Sequence, residues 1–158
     1  MAALAPATYT STCLCGAVAL EFQSPFVFNV LCHCSICRRT AGAPFVHFVA
    51  TRQSTLRFTK GGDDGVSRYE STPGTSRVRC KTCGALLVAE TTHGFSSVAV
   101  ANVVGAYSDN RIREELRPVC HIFYSARVVD VKDGLPKFAE LPGEGVQPLP
   151  IDGGGGGG

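Results

Sequence analysis

Seven of the eight cysteines in this chain fall into three tight groups, and no other feature narrows the available folds as much. The groups are Cys13-Leu14-Cys15-Gly16, Cys32-His33-Cys34-Ser35-Ile36-Cys37 and Cys80-Lys81-Thr82-Cys83-Gly84. Clustered thiols serve either disulfides or a metal, and the compartment decides between them. The opening MAALAPATYT carries no Lys or Arg, and Pro6 interrupts its apolar run, so a secretory signal is not supported. No segment approaches the roughly 18 apolar residues of a membrane span. The expectation is a cytoplasmic, reducing setting, with no membrane partner, where these thiols bind metal.

Zinc takes four ligands at tetrahedral corners, and a pair of cysteines two or three residues apart offers two sulfurs from one turn. Gly16 and Gly84 each follow the second cysteine of a pair, where the turn calls for positive φ. The matching glycines couple these pairs into one structural zinc site, Cys13, Cys15, Cys80 and Cys83, with Arg77, Arg79 and Lys81 placed to offset its negative charge. Cys32, Cys34 and Cys37 have no fourth cysteine at comparable spacing. Three protein ligands leave a position for substrate, as in catalytic zinc sites, and a thiolate-rich zinc favours a soft guest such as the thiol of glutathione. A fourth ligand from His33, Cys120 or a distant residue would close the site instead. His33, between two ligands on an extended segment, is expected to point away and to pack or support. Cys120, alone beside His121, reads as a small buried apolar residue.

The intervening apolar runs are short, alternating and rich in β-branched and aromatic residues, so the fold is expected to be mostly β, with antiparallel sheets. Strands are expected at Ala17–Phe22, Phe26–Leu31, Phe45–Ala50, Leu56–Phe58, Ser67–Tyr69, Ser76–Arg79, Leu86–Ala89, Ser96–Val100 and Ile122–Val129. Val18, Leu20 and Phe22 share one face of the first. Short helical turns are expected at Ser35–Thr40 and Asn110–Leu116. Residues 1–140 read as one domain; 141–158, rich in Pro and Gly and ending in six glycines, read as a tail that cannot offset its chain entropy. The formal net charge of +2 provides no basic stripe, which excludes a nucleic-acid partner.

These motifs resemble the glutathione-dependent formaldehyde-activating enzymes and the related centromere protein V domain. The resemblance rests on the three cysteine groups with Arg38, on Tyr69-Glu70-Ser71, on Arg117-Pro118-Val119-Cys120-His121-Ile122 and on Gly134-Leu135-Pro136, in the family's order over residues 9 to 138. It implies a β-tent of packed antiparallel sheets, two zinc ions per chain and a carbon–sulfur lyase. The substrate would be a glutathione adduct or another thiol conjugate. It assigns a closed site to Cys13, Cys15, Cys80 and Cys83 and a catalytic zinc to Cys32, Cys34 and Cys37. Arg79 replaces the hydrophobic-aromatic residue often found there, and the chain has no Trp; both departures bear on the substrate.

Zinc-bound sulfur needs no separate strong base, but a proton must still move at the carbon or oxygen end. His47, Tyr69, His93 and His121 have side chains suited to that, and His47 is the catalytic candidate. Arg38 and Arg39 are placed to hold a carboxylate by paired hydrogen bonds, with Tyr69 and His93 completing the expected substrate contacts. The rival reading is a non-catalytic zinc module that binds glutathione or a protein partner. The assembly expected, if any, is a homodimer.

Overall fold

A computed structural model of the chain describes residues 5–150; the terminal glycines of the expected tail lie outside the described residues. Two compact units divide the chain: residues up to Asn29 with His47–Arg117, and Val30–Val46 with the chain from Pro118 onward. The protein is mostly β.

In the first unit, strands β1 (Thr8–Thr12), β2 (Ala19–Gln23) and β5 (Arg57–Lys60) form an antiparallel sheet in the order β1-β2-β5. A second antiparallel ladder runs β4-β9-β8-β7-β6, from β4 (Val46–Arg52), β9 (Phe95–Ala99), β8 (Leu86–Thr91), β7 (Thr75–Cys80) and β6 (Val66–Thr72). Alternation places the core side chains as expected. Val18, Leu20 and Phe22 are fully buried, and they join Val78, Val88 and Val98 of the second ladder in one cluster. Tyr9 stacks on Phe22 at a centroid distance of 5.4 Å. Helix α2 (Asn110–Glu115) starts at Asp109, whose carboxylate accepts from the backbone N–H groups of Arg111 and Ile112.

The second unit contains the end of β3 (Phe28–Cys32), helix α1 (Ser35–Ala41) and β10 (Cys120–Ile122). β10 pairs in parallel with β3, Cys120 opposite Val30 and Ile122 opposite Cys32. On its other side, His121 N–H donates to the Pro136 carbonyl and Phe138 N–H to that of His121.

Two sequence expectations are corrected. β1 was not expected; its TYTST run carries no apolar pattern, yet Tyr9 and Ser11 face inward and are buried. The strand expected over Ile122–Val129 stops at Ile122. Phe123 takes the left-handed conformation (φ 53°), its N–H turns to the Glu140 carbonyl, and Tyr124–Ala126 form a single 3-10 turn. Leu20, wholly buried at the centre of the cluster, tests the packing: Leu20→Ala should lower unfolding free energy by about 2–5 kcal/mol, measured by urea titration.

Candidate metal centres

The first centre is built by two backbone turns. Cys13 N–H donates to the Val18 carbonyl, Gly16 N–H returns to the Cys13 carbonyl, and Val18 N–H donates to the Cys13 sulfur at 3.2 Å. The second pair repeats the pattern: Cys80 N–H donates to the Ala85 carbonyl and Gly84 N–H to the Cys80 carbonyl. Gly16 and Gly84 sit at φ +72° and +74° with open space around each, so the backbone conformation, not crowding, requires glycine. The turns bring together sulfurs from residues 65 apart in sequence: Cys13 Sγ lies 3.6 Å from Cys15 Sγ, which lies 3.8 Å from Cys80 Sγ. All four sulfurs, Cys83 included, fall within 4.8 Å of one another. A tetrahedron of Zn–S bonds near 2.3 Å has edges of about 3.8 Å, so this donor set fits zinc.

Four thiols at contact share protons unequally. Cys83 is drawn down to about 6 by hydrogen bonds from the Ala85 and Cys15 backbone N–H groups, opposed by burial. The Ala17 N–H favours the Cys15 thiolate, yet burial and the three neighbouring thiols push Cys15 up to about 11. A divalent cation removes the conflict by replacing the shared protons. Of the expected charge partners, Arg79 donates to the Gly84 carbonyl (2.8 Å) and Lys81 to that of Asp64 (2.9 Å). Arg77 is buried and donates instead to Ser71 Oγ. Lys60, which sequence reasoning missed, donates to the Gly16 carbonyl at 2.6 Å, the counterpart of Arg79 on the other turn.

The second centre lies in the other unit, where β3 passes into α1. Cys32 ends the strand, Cys34 caps the helix, and Cys37 sits in its first turn. Cys34 Sγ accepts from the Cys37 N–H at 3.3 Å. The three sulfurs lie within 4.8 Å of one another, and neither His33 nor Cys120 joins them. Hydrogen bonds from the Cys32 and Cys37 thiols hold the Cys34 thiol down at about 2, against burial and with help from the Cys37 and Ile36 N–H groups. Cys32 is raised by the same pairing. The trio therefore carries thiolate character at Cys34, and its three soft donors, within 4.8 Å of one another, also suit zinc.

Around this trio, Arg38 donates through Nε to the His33 carbonyl (3.0 Å), and Arg39 is exposed. His33 is fully buried, as its packing role requires, and burial pushes it down to about 4. Its Nε2 lies 2.8 Å from His121 Nδ1, and His121 Nε2 lies 2.7 Å from Asp133 Oδ2. Burial would raise Asp133, but hydrogen bonds from Lys137, His121 and the Leu135 N–H hold it at about 2. Cys120 is buried, which raises its thiol, as its apolar reading anticipated.

The remaining candidates belong to the first unit. His47 Nε2 donates to Asn29 Oδ1 at 2.7 Å, and Asn29 Nδ2 donates to the Arg117 carbonyl. Tyr69 is 70% exposed on β6, and His93 is exposed in the turn between β8 and β9, its ring against Phe95. Asp133 was missed by sequence reasoning: Asp133-Gly134-Leu135-Pro136 reads only as a turn, and nothing in it points to a histidine twelve residues earlier.

The two centres should separate on substitution. Cys83→Ala should lose one zinc per chain and destabilise the fold severely, since structural zinc contributes binding free energy of order 10 kcal/mol. Cys37→Ala should lose the other zinc while near-wild-type melting is kept; metal analysis and thermal melts check both. His47 gives a pH prediction. Burial pushes it down to about 4 from 6.5, with a hydrogen bond to the Leu116 backbone opposing. The unfolded chain therefore binds the proton first, and stability falls as pH drops from about 6.5 towards 4. Urea midpoints across that window should fall less steeply in His47→Gln than in wild type.

A model of the glutathione-dependent formaldehyde-activating enzyme family matches residues 8–126. An uncharacterized lyase of Schizosaccharomyces pombe is 31% identical over 86 residues, 54% of this chain and 60% of the relative. The chain thus spans about 60% of that relative's length. The crystal structure of a Rhodobacter sphaeroides protein superposes with a TM-score of 0.54 at 27% identity, covering 63% of this chain and 91% of that one. No described helix is long and apolar enough to cross a membrane.

Proposed function

We infer from the chain's membership of the glutathione-dependent formaldehyde-activating enzyme family, to which it belongs, that it is a zinc-dependent carbon–sulfur lyase. Its substrate would be a glutathione adduct or a related thiol conjugate. The observation that carries this reading is the contrast between the centres: four cysteine sulfurs gather in one and three in the other, among the described residues. Three protein donors leave zinc a position for an outside sulfur. A zinc ion held by Cys32, Cys34 and Cys37 would lower the pKa of a coordinated thiol, the chemistry that would make its sulfur a nucleophile or leaving group at the neighbouring carbon.

The chain's own groups divide the remaining work. Cys34, the sulfur most readily ionised, would anchor the metal from the helix cap, and Cys32 and Cys37 would complete the donor set. Arg38 is held through Nε on the His33 carbonyl, which fixes the direction of its guanidinium, while Arg39 stays exposed. A tripeptide thiol carries two carboxylates, and these arginines are the residues proposed to take one of them. His47, bonded to Asn29, and the exposed Tyr69 and His93 enter this reading only as candidates whose removal can be scored.

Cys34→Ala should abolish turnover of a glutathione thioether or hemithioacetal, a fall of at least about a hundredfold, with the circular dichroism spectrum unchanged. Undiminished glutathione binding with no turnover in the wild-type protein would sink the lyase reading and mark a binding module.

A further inference from the structure

One buried cation in the first unit has no negative partner among the described residues. Arg77, in β7, is only 7% exposed. Its Nε donates to Ser71 Oγ at 3.0 Å, and Ser71 Oγ donates on to the Thr75 carbonyl at 3.3 Å, so the hydroxyl's one hydrogen is used by the backbone. The remaining N–H groups of Arg77, on Nη1 and Nη2, meet no acceptor among the described residues. Nearby carboxylates are engaged elsewhere: Glu70 accepts from the Gly74 N–H at 2.9 Å, and Glu90 and Asp63 both pair with Arg68.

Burying a guanidinium strips its hydration, and that cost is recovered only where a negative group and acceptors replace the water. Ser71 supplies one neutral acceptor and no charge. The Nη atoms are nevertheless not sealed off. Among the described residues, the buried side-chain nitrogens and oxygens left without a partner are Ser11 Oγ, His33 Nδ1 and Ser96 Oγ, and neither Arg77 Nη is one of them. The stem is packed while the fork reaches the surface, its plane fixed by the bond to Ser71. Tyr69 lies directly opposite Arg77 on β6, so both stand on one face of the ladder, and Tyr69 is exposed. Arg79, two residues on, shares that face and gives Nη1 to the Gly84 carbonyl, which adds positive charge and no competing anion. Across β8 the partner is Ala89, whose methyl group brings no acceptor.

We propose that Arg77 anchors a binding site for the carboxylate of a small molecule, with Nη1 and Nη2 as the paired donors and the Tyr69 hydroxyl at the rim. The two oxygens of a carboxylate fit the parallel N–H groups of one guanidinium, and its charge supplies what Arg77 lacks. The backbone around Arg77 is paired on both sides, with β6 and with β8, so it presents no cradle of N–H groups of the kind phosphates take. A neutral amide offers one acceptor and no charge. The site requires no metal, so it stands or falls apart from the lyase reading.

The test is nitrogen-15 NMR of arginine side chains in the zinc-loaded full chain at low salt, with the Arg77 signals assigned by Arg77→Lys. N-Acetylglycine is the probe, and N-acetylglycinamide, nearly equal in size but uncharged, is the control. The acid should shift the Arg77 Nε–H signal saturably and sharpen its Nη–H signals, as paired hydrogen bonds slow their exchange; the amide should do neither. Arg77→Lys keeps the charge but loses the fork, and should weaken binding at least about tenfold, read from the backbone shifts of Tyr69 and Ala89.

A shift that never saturates, or one that chloride and inorganic phosphate reproduce at the same concentration, marks an adventitious ion only and overturns the proposal. So does an unmoved Arg77, the sign that water alone serves the fork. The wild-type readouts hold even if Arg77→Lys fails to fold. Probe binding in a protein that turns over no thioether keeps this site and removes the lyase reading; turnover with an unmoved Arg77 does the opposite.

Discussion

Four sulfurs held at contact distance can neither all keep their protons comfortably nor all lose them without a cation. That constraint organises the first unit. The turns after Cys13 and Cys80 exist to aim sulfurs, and each spends a glycine at positive φ to do so. Lys60 and Arg79 then bond the carbonyls of those same glycines, placing positive charge beside the turns and not on the sulfurs. A metal with preference for thiolates would turn this repulsive cluster into a cross-link between segments far apart in sequence.

The second centre solves the same problem with different local structure, and its chemistry differs accordingly. A strand end and a helix cap present sulfurs from one short stretch, so no distant segment is tied down. A metal held there would cross-link no distant segments of the chain. The ionisation is also polarised: Cys34 receives hydrogen bonds from both neighbouring thiols and from the first backbone N–H groups of α1, whereas Cys32 receives none of that benefit. The sulfur placed at the cap is the one that the backbone already favours as an anion.

Cysteine spacing made both centres legible, because coordination geometry constrains spacing more tightly than folding does. The two glycines could be read for the same reason. Strands with alternating apolar residues, such as Val18, Leu20 and Phe22, were equally plain. β1 was hidden because its inward residues are one tyrosine and one serine, a pattern hydropathy does not register. The over-long final strand had the right composition but breaks at Phe123, where contacts from the Glu140 segment, remote in sequence, hold a left-handed residue. The histidine line was invisible for a related reason: its members are 88 and 12 residues apart, and no local motif joins them.

That line also shows how polar groups can sit among apolar ones at tolerable cost. Burying two imidazoles beside Phe45 and Tyr124 sacrifices their hydration, and the loss is offset only if each nitrogen finds a partner. Asp133, partly exposed and bonded to Lys137, supplies the anchor from the surface and satisfies three of the four nitrogens through two bonds. An apolar pair would pack in the same place without any anchor. The fourth nitrogen, His33 Nδ1, has no hydrogen-bond partner among the described residues. The carboxylate at the surface therefore fixes a hydrogen on His121 Nε2, and with it the orientation of that buried ring.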